Sequence, residues 1–185
     1  MEVARFVVVL RNPKSVLVSN HIASYGTVTD YFDVVPTYDQ SIDAMLTDSQ
    51  DQHLYGTWFN HISTWWVNRD KMMGNIHFIF YEDMKKNMED VIKGLGMFLN
   101  KNVSNDRIEK MVEYLQFEQM LKDSKTGKAF ENFNLPVDAD AFKCAHMRTG
   151  VIDDWKTKLT VAQSERMDEY LRPKLDKIGL EFQYE

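Results

Sequence analysis

The chain has 185 residues, enough for a single domain with a sizeable core, and its 44% hydrophobic and 27% charged content is that of an ordinary globular protein. A net charge of −6 argues against a general nucleic-acid or membrane binder, so any phosphate site is expected to be local rather than a broad basic face. The single cysteine, Cys144, leaves no disulfide framework and makes a reducing compartment the default.

The first apolar run, Phe6 to Leu10, is β-branched and unalternating, which predicts a strand buried on both faces as in a parallel sheet. It runs straight into Arg11-Asn12-Pro13-Lys14. Asn followed by Pro signals a helix start, because Asn caps exposed amides and Pro at the first helical position lacks only a donor that would be unpaired anyway. A helix start at the carboxyl end of a buried strand, flanked by Arg11 and Lys14, suits an anion such as a phosphate. Strand–turn–helix units are common, and the pattern alone favours a surface turn with two solvated cations.

From Thr27 to Gln52 the periodicity is weak, and the expectation is an irregular segment with at most one short helix around Ser41 to Leu46. Thr57 then caps a predicted helix in which Trp58, His61, Ile62 and Trp65 fall at helical spacing. A second buried strand is expected over residues 76 to 83, with Tyr81 at its end. Helical patterns follow through Met84, Met88, Val91, Ile92 and Leu95, then Ile108, Met111, Val112 and Leu115. Asp123 to Lys143 reads as loop. Thr160 with Gln163 forms a capping box before a last helix. This order predicts a small α/β domain with few strands.

No stretch matches G-x-x-x-x-G-K-[ST] or G-x-G-x-x-G, and no Cys/His cluster has zinc spacing, so no metal is expected. The adjacent Asp153 and Asp154 favour capping or surface roles over a carboxylate metal site. None of His21, His53, His61, His77 and His146 stands out as a general base. His21 lies two residues from Ser19, about 200° around the same helix, so the two cannot face one substrate.

Taken together these segments resemble the cytosolic sulfotransferase family, over nearly the whole chain and in the family's order. RNPKSVLVS resembles its 3′-phosphate signature, YGTWFNHISTWW its Gly-x-Trp-x-x-His segment and FIFYEDMKKN its Tyr-Glu-Asp-Met strand end. MRTGVIDDWK resembles the Arg-Lys-Gly and Gly-Asp-Trp-Lys stretch, and KTKLTVAQSE the short dimerisation motif. The resemblance implies a partial P-loop-like α/β domain over residues 1–185, with a small parallel sheet flanked by helices. It implies transfer of a sulfuryl group from the co-substrate 3′-phosphoadenosine 5′-phosphosulfate to a hydroxyl or amine of a small hydrophobic acceptor.

By the same resemblance, Arg11 and Ser19 are expected to hold the 3′-phosphate with Arg148 and the Gly150 amide, within the stretch Met147, Arg148, Thr149, Gly150. Tyr81 and Phe117 are expected at the adenine. Lys156, Thr160, Val161 and Glu165 are the expected homodimer or heterodimer contacts. No membrane or nucleic-acid partner and a cytoplasmic location complete the expectation: no apolar run approaches the roughly 20 residues a membrane span needs, and the N-terminus shows no secretory signal. Aromatic acceptor contacts are expected from Tyr25, Tyr31, Phe32, Phe130 and Phe133.

The sequence also departs from the family. The family's 5′-phosphosulfate loop and catalytic histidine lie upstream of the stretch at which this chain starts, so neither is expected here and no catalytic residue is assigned. Thr149 stands for a lysine, Leu115-Gln116 for Thr-Ser, and Asp153 for a glycine. The first removes a phosphate cation, and the last adds a negative charge near the anion. A second expectation therefore stands beside the enzyme: a nucleotide-binding or dimerising module without catalysis.

Overall fold

The computed structural model describes residues 4–25, 35–47, 57–123 and 147–185. Strand β1 (Phe6–Leu10) pairs in parallel with β2 (Ile76–Phe80), in the register Phe6 to Ile76 through Leu10 to Phe80. A parallel pair needs a long crossover, and helices α1 (Pro13–Tyr25), α2 (Tyr38–Leu46) and α3 (Trp58–Val67) lie between the strands in the chain. After β2 come α4 (Tyr81–Lys86), α5 (Met88–Phe98), α6 (Asn105–Tyr114), α7 (Phe117–Lys122) and α8 (Val161–Ile178). The fold is α/β, a small parallel two-stranded sheet flanked by helices. Among the described residues no helix is long and apolar enough to cross a membrane.

The described residues of Met1–Val18, Pro36–Glu82 and Ile152–Glu185 form one compact unit, and those of Ser19–Val35 and Asp83–Val151 a second. In the first unit α8 packs on α2 and α3, burying Met167, Leu171 and Leu175 beside Ile42, Met45 and Ile62. Thr160 and Gln163 make the expected capping box, with the Gln163 amide donating to the Thr160 hydroxyl at 3.2 Å. Gly179 ends α8 in the left-handed region at φ 60°, and the Leu180 amide reaches back to the Leu175 carbonyl at 3.1 Å. That turn buries Leu180 and sends the tail over the aromatic face of α3. There Phe182 meets Trp58 and Phe80 at 5.7 and 5.8 Å, and the Trp66 indole donates to the Ile178 carbonyl at 3.1 Å. Phe78 and Phe80, two residues apart and so on one face of β2, both meet the Trp66 ring.

Several sequence expectations are corrected. Strand β1 is not buried on both faces: Val7 and Val9, two residues apart and so on one face, are 43% and 55% exposed. The second strand stops at Phe80, and Tyr81 opens α4, where the run of polar residues changes from strand to helix. The pattern from Met84 to Leu95 is two helices rather than one. Asn87 divides them, its side chain capping α5 through the Asp90 amide at 3.3 Å. The short helix expected around Ser41 starts earlier, at Tyr38, because Thr37 and Gln40 form a second capping box. In the second unit Ile92 of α5 and Ile108 of α6 are buried, while Met111 points outward at 43% exposure.

Candidate nucleotide site

In the first unit the turn between β1 and α1 is built as the Asn-Pro pair predicts. The Asn12 side chain accepts from the Ser15 amide at 2.8 Å, its carbonyl accepts from the Val16 amide at 3.0 Å, and Pro13 is the first helical residue. The cap is itself gripped. Glu82, fully buried, accepts through Oε1 from the Asn12 backbone amide at 2.9 Å and from Asn12 Nδ2 at 3.0 Å. Ser15 adds a hydroxyl bond to the Ile152 carbonyl at 2.7 Å. Arg11, immediately before the cap, lays its guanidinium over the Tyr81 ring with 4.2 Å to the centroid. Stacking engages the guanidinium face, whereas the N–H edge is the part that grips a phosphate in a bidentate manner. Two of the expected nucleotide residues, Arg11 and Tyr81, are thus brought together.

Lys14 corrects the picture of two solvated cations on this turn. Its side chain is 5% exposed, and its ammonium sits 2.7 Å from both Asp168 Oδ2 and Ser164 Oγ on α8. The rings of Trp155 and Tyr184 bracket it at 4.6 and 5.0 Å. Burial, with the nearby Asp168 carboxylate, pushes the Tyr184 phenol up to about 12, so it stays neutral at physiological pH.

In the second unit Phe117 begins α7 and Gly150 stands at φ 65°. A Cβ at position 150 would lie 2.5 Å from Phe117 Cδ2, so the ring rests directly on the glycine backbone. The Lys85 ammonium lies 5.9 Å from the centre of that ring, a cation that no motif singled out. Met147 and Arg148 are half-buried and Thr149 is exposed. Ser19 lies on α1, in the part counted with this unit, and is half-buried. His21, two residues further on, packs edge-on to Tyr25 at 5.5 Å, and burial lowers its pKa.

His61 is exposed on α3, and His77 is half-buried on β2. His53, His146, Cys144, Tyr31, Phe32, Phe130 and Phe133 lie outside the described residues. Of the expected dimer contacts, Thr160 is the cap of α8 and Lys156 pairs with Glu185 at 2.8 Å. Glu165 is exposed, and Val161 shows 73% of its surface.

A strand, a capped helix start carrying a stacked arginine, and helices around a parallel pair define an α/β protein. The family model for the sulfotransferase domain matches residues 2–179. The chain belongs to the sulfotransferase family.

Human sulfotransferase 1C2 is 30% identical over 96% of this chain and 57% of its own length. Dog sulfotransferase 1B1 is 33% identical over 71% of this chain and 43% of its own. The chain therefore spans about half the length of the curated relatives it matches. Two solved structures share the fold. Mouse sulfotransferase SULT7A1 complexed with PAP has a TM-score of 0.72 at 24% identity, covering 92% of this chain and 58% of its own. Retinol dehydratase in complex with retinol and PAP has a TM-score of 0.78 at 17% identity, covering 97% and 50%.

Proposed function

We propose that this protein binds a 3′-phosphoadenosine nucleotide and, as a sulfotransferase, transfers the sulfuryl group of 3′-phosphoadenosine 5′-phosphosulfate to a hydroxyl or amine of a small hydrophobic acceptor. The observation that carries the reading is Arg11, stacked 4.2 Å over Tyr81 at the capped start of α1. In this reading Arg11 and Ser19 take the 3′-phosphate with Arg148 and the Gly150 amide, and Met147 and Thr149 flank them. Tyr81 and Phe117 meet the adenine. A guanidinium edge, a hydroxyl and backbone amides are the donor set a dianion wants, and an adenylate lacking the 3′-phosphate would not engage them. Transfer itself is proposed through the family and is assigned to no side chain among these residues. No metal enters the reading, and the location proposed is cytoplasmic.

The test is Arg11→Met, which keeps the stem and removes the charge. PAP, the desulfated nucleotide, should bind roughly 10- to 100-fold more weakly, the size of a lost charged hydrogen bond, while adenosine 5′-phosphate is held as before. Equal PAP affinity in the variant and the native protein would remove the reading.

A second reading is favoured by Val161, a 73%-exposed apolar residue at the start of α8 between exposed Lys156 and Glu165. There the chain serves as a nucleotide-binding module that pairs with a second copy or a related subunit. A dimer that retains PAP but transfers no sulfuryl group to a phenolic acceptor would select it.

A further inference from the structure

We propose that Lys14 is a positioning residue for the phosphate-binding turn, through which α8 and the C-terminal tail set the direction of Arg11. This rests on the reading of Arg11 as a 3′-phosphate ligand.

Lys14 is a cation in the first turn of a helix, where the helix dipole disfavours it, and it is almost completely buried. Burying an ammonium is costly unless it is paired and hydrogen-bonded, so its surroundings are what keep it there. Those surroundings come from outside the turn. Asp168 and Ser164 of α8 each accept at 2.7 Å, Trp155 precedes α8, and Tyr184 lies in the tail beyond it. The ammonium thus gives two of its three donors to α8 and lies against two aromatic rings. Its task is to hold the turn, and it does not belong to the ligand.

The turn is fixed at three successive points. Glu82 grips Asn12, α8 grips Lys14, and the Ile152 carbonyl takes the Ser15 hydroxyl. Arg11 is the residue next to this bracket and inherits its orientation. The ties at Asn12 and Ser15 are short-range neighbours of the turn in space. The Lys14 tie is the one that makes the C-terminal helix part of nucleotide selectivity. The Arg172 guanidinium, 4.0 Å from the same Asp168 oxygen, shares that carboxylate.

The experiment measures the preference for PAP over adenosine 5′-phosphate as a ratio of dissociation constants in the full chain. Loss of overall stability lowers both affinities, whereas misdirecting Arg11 lowers the ratio. Lys14→Met should reduce the ratio roughly 3- to 10-fold, as expected for coupling between neighbouring residues, and Lys14→Arg should restore most of it. Asp168→Asn, which keeps the shape of the pair, should reduce the ratio similarly and serves where Lys14→Met does not fold. A ratio unchanged in both Lys14→Met and Asp168→Asn, with Arg11→Met abolishing it, overturns the role of Lys14 alone. A ratio near one in the unaltered protein, or one untouched by Arg11→Met, overturns the phosphate reading of Arg11 and this inference with it.

Discussion

Glu82→Leu should destabilise the protein by about 2–4 kcal/mol, and Glu82→Gln by about half as much. Glu82 is fully buried, and one oxygen accepts two donors from Asn12, which is also fully buried. Leucine leaves both donors without an acceptor, at about 1–3 kcal/mol each. Part of that is offset, because the second carboxylate oxygen has no hydrogen-bond partner among the described residues and leucine removes it. Glutamine keeps the acceptor for Asn12 and leaves only its own amide hydrogens to satisfy. Denaturant midpoints of the two variants settle the order. A Glu82→Leu variant no less stable than the Glu82→Gln one would show that the Asn12 clamp is not what holds the turn.

Gly150→Ala should cost about 2–4 kcal/mol, in two separable parts. At φ 65° a residue with a side chain carries a backbone penalty of about 1–2 kcal/mol. The added methyl also falls 2.5 Å from Cδ2 and 2.7 Å from Cγ of Phe117, and relieving such overpacking costs about 1–3 kcal/mol. The clash is with the root and side of a ring, not with a flexible chain end, so it is not relieved by a small rotation. In a Phe117→Ala background the same glycine replacement should cost only the backbone part. Equal costs in both backgrounds would contradict the packing of Phe117 on Gly150.

The parts of this fold that were legible in the sequence are those encoded within a few residues. The caps at Asn12, Thr57 and Thr160 read directly, because the capping side chain and the amide it accepts from are three residues apart. The extent of β1 and the start of β2 followed from unbroken β-branched and aromatic runs. What failed locally failed for stated reasons: the polar end of a strand and the start of a helix look alike at Tyr81, and a single Asn87 divides an otherwise continuous pattern.

Long-range choices were not legible. Lys14 reads as a surface cation until Asp168, 154 residues away, is seen beside it. Glu82 reads as the end of a strand motif until it is found holding Asn12, 70 residues earlier. Lys85 lies within the FIFYEDMKKN stretch, but nothing in that stretch places it beside Phe117. The proposed nucleotide residues came from motif order rather than from local physics. Folding then adds which of them touch: Arg11 with Tyr81, and Phe117 with Gly150.

The most direct measurement is a calorimetric titration of the unaltered protein with PAP and, separately, with adenosine 5′-phosphate. A donor set built for a dianion predicts that PAP binds at least about tenfold more tightly, since its 3′-phosphate makes charge-assisted hydrogen bonds that adenosine 5′-phosphate lacks. Equal affinity for the two nucleotides, or no binding of either, would contradict the assignment of Arg11 and its neighbours to a 3′-phosphate.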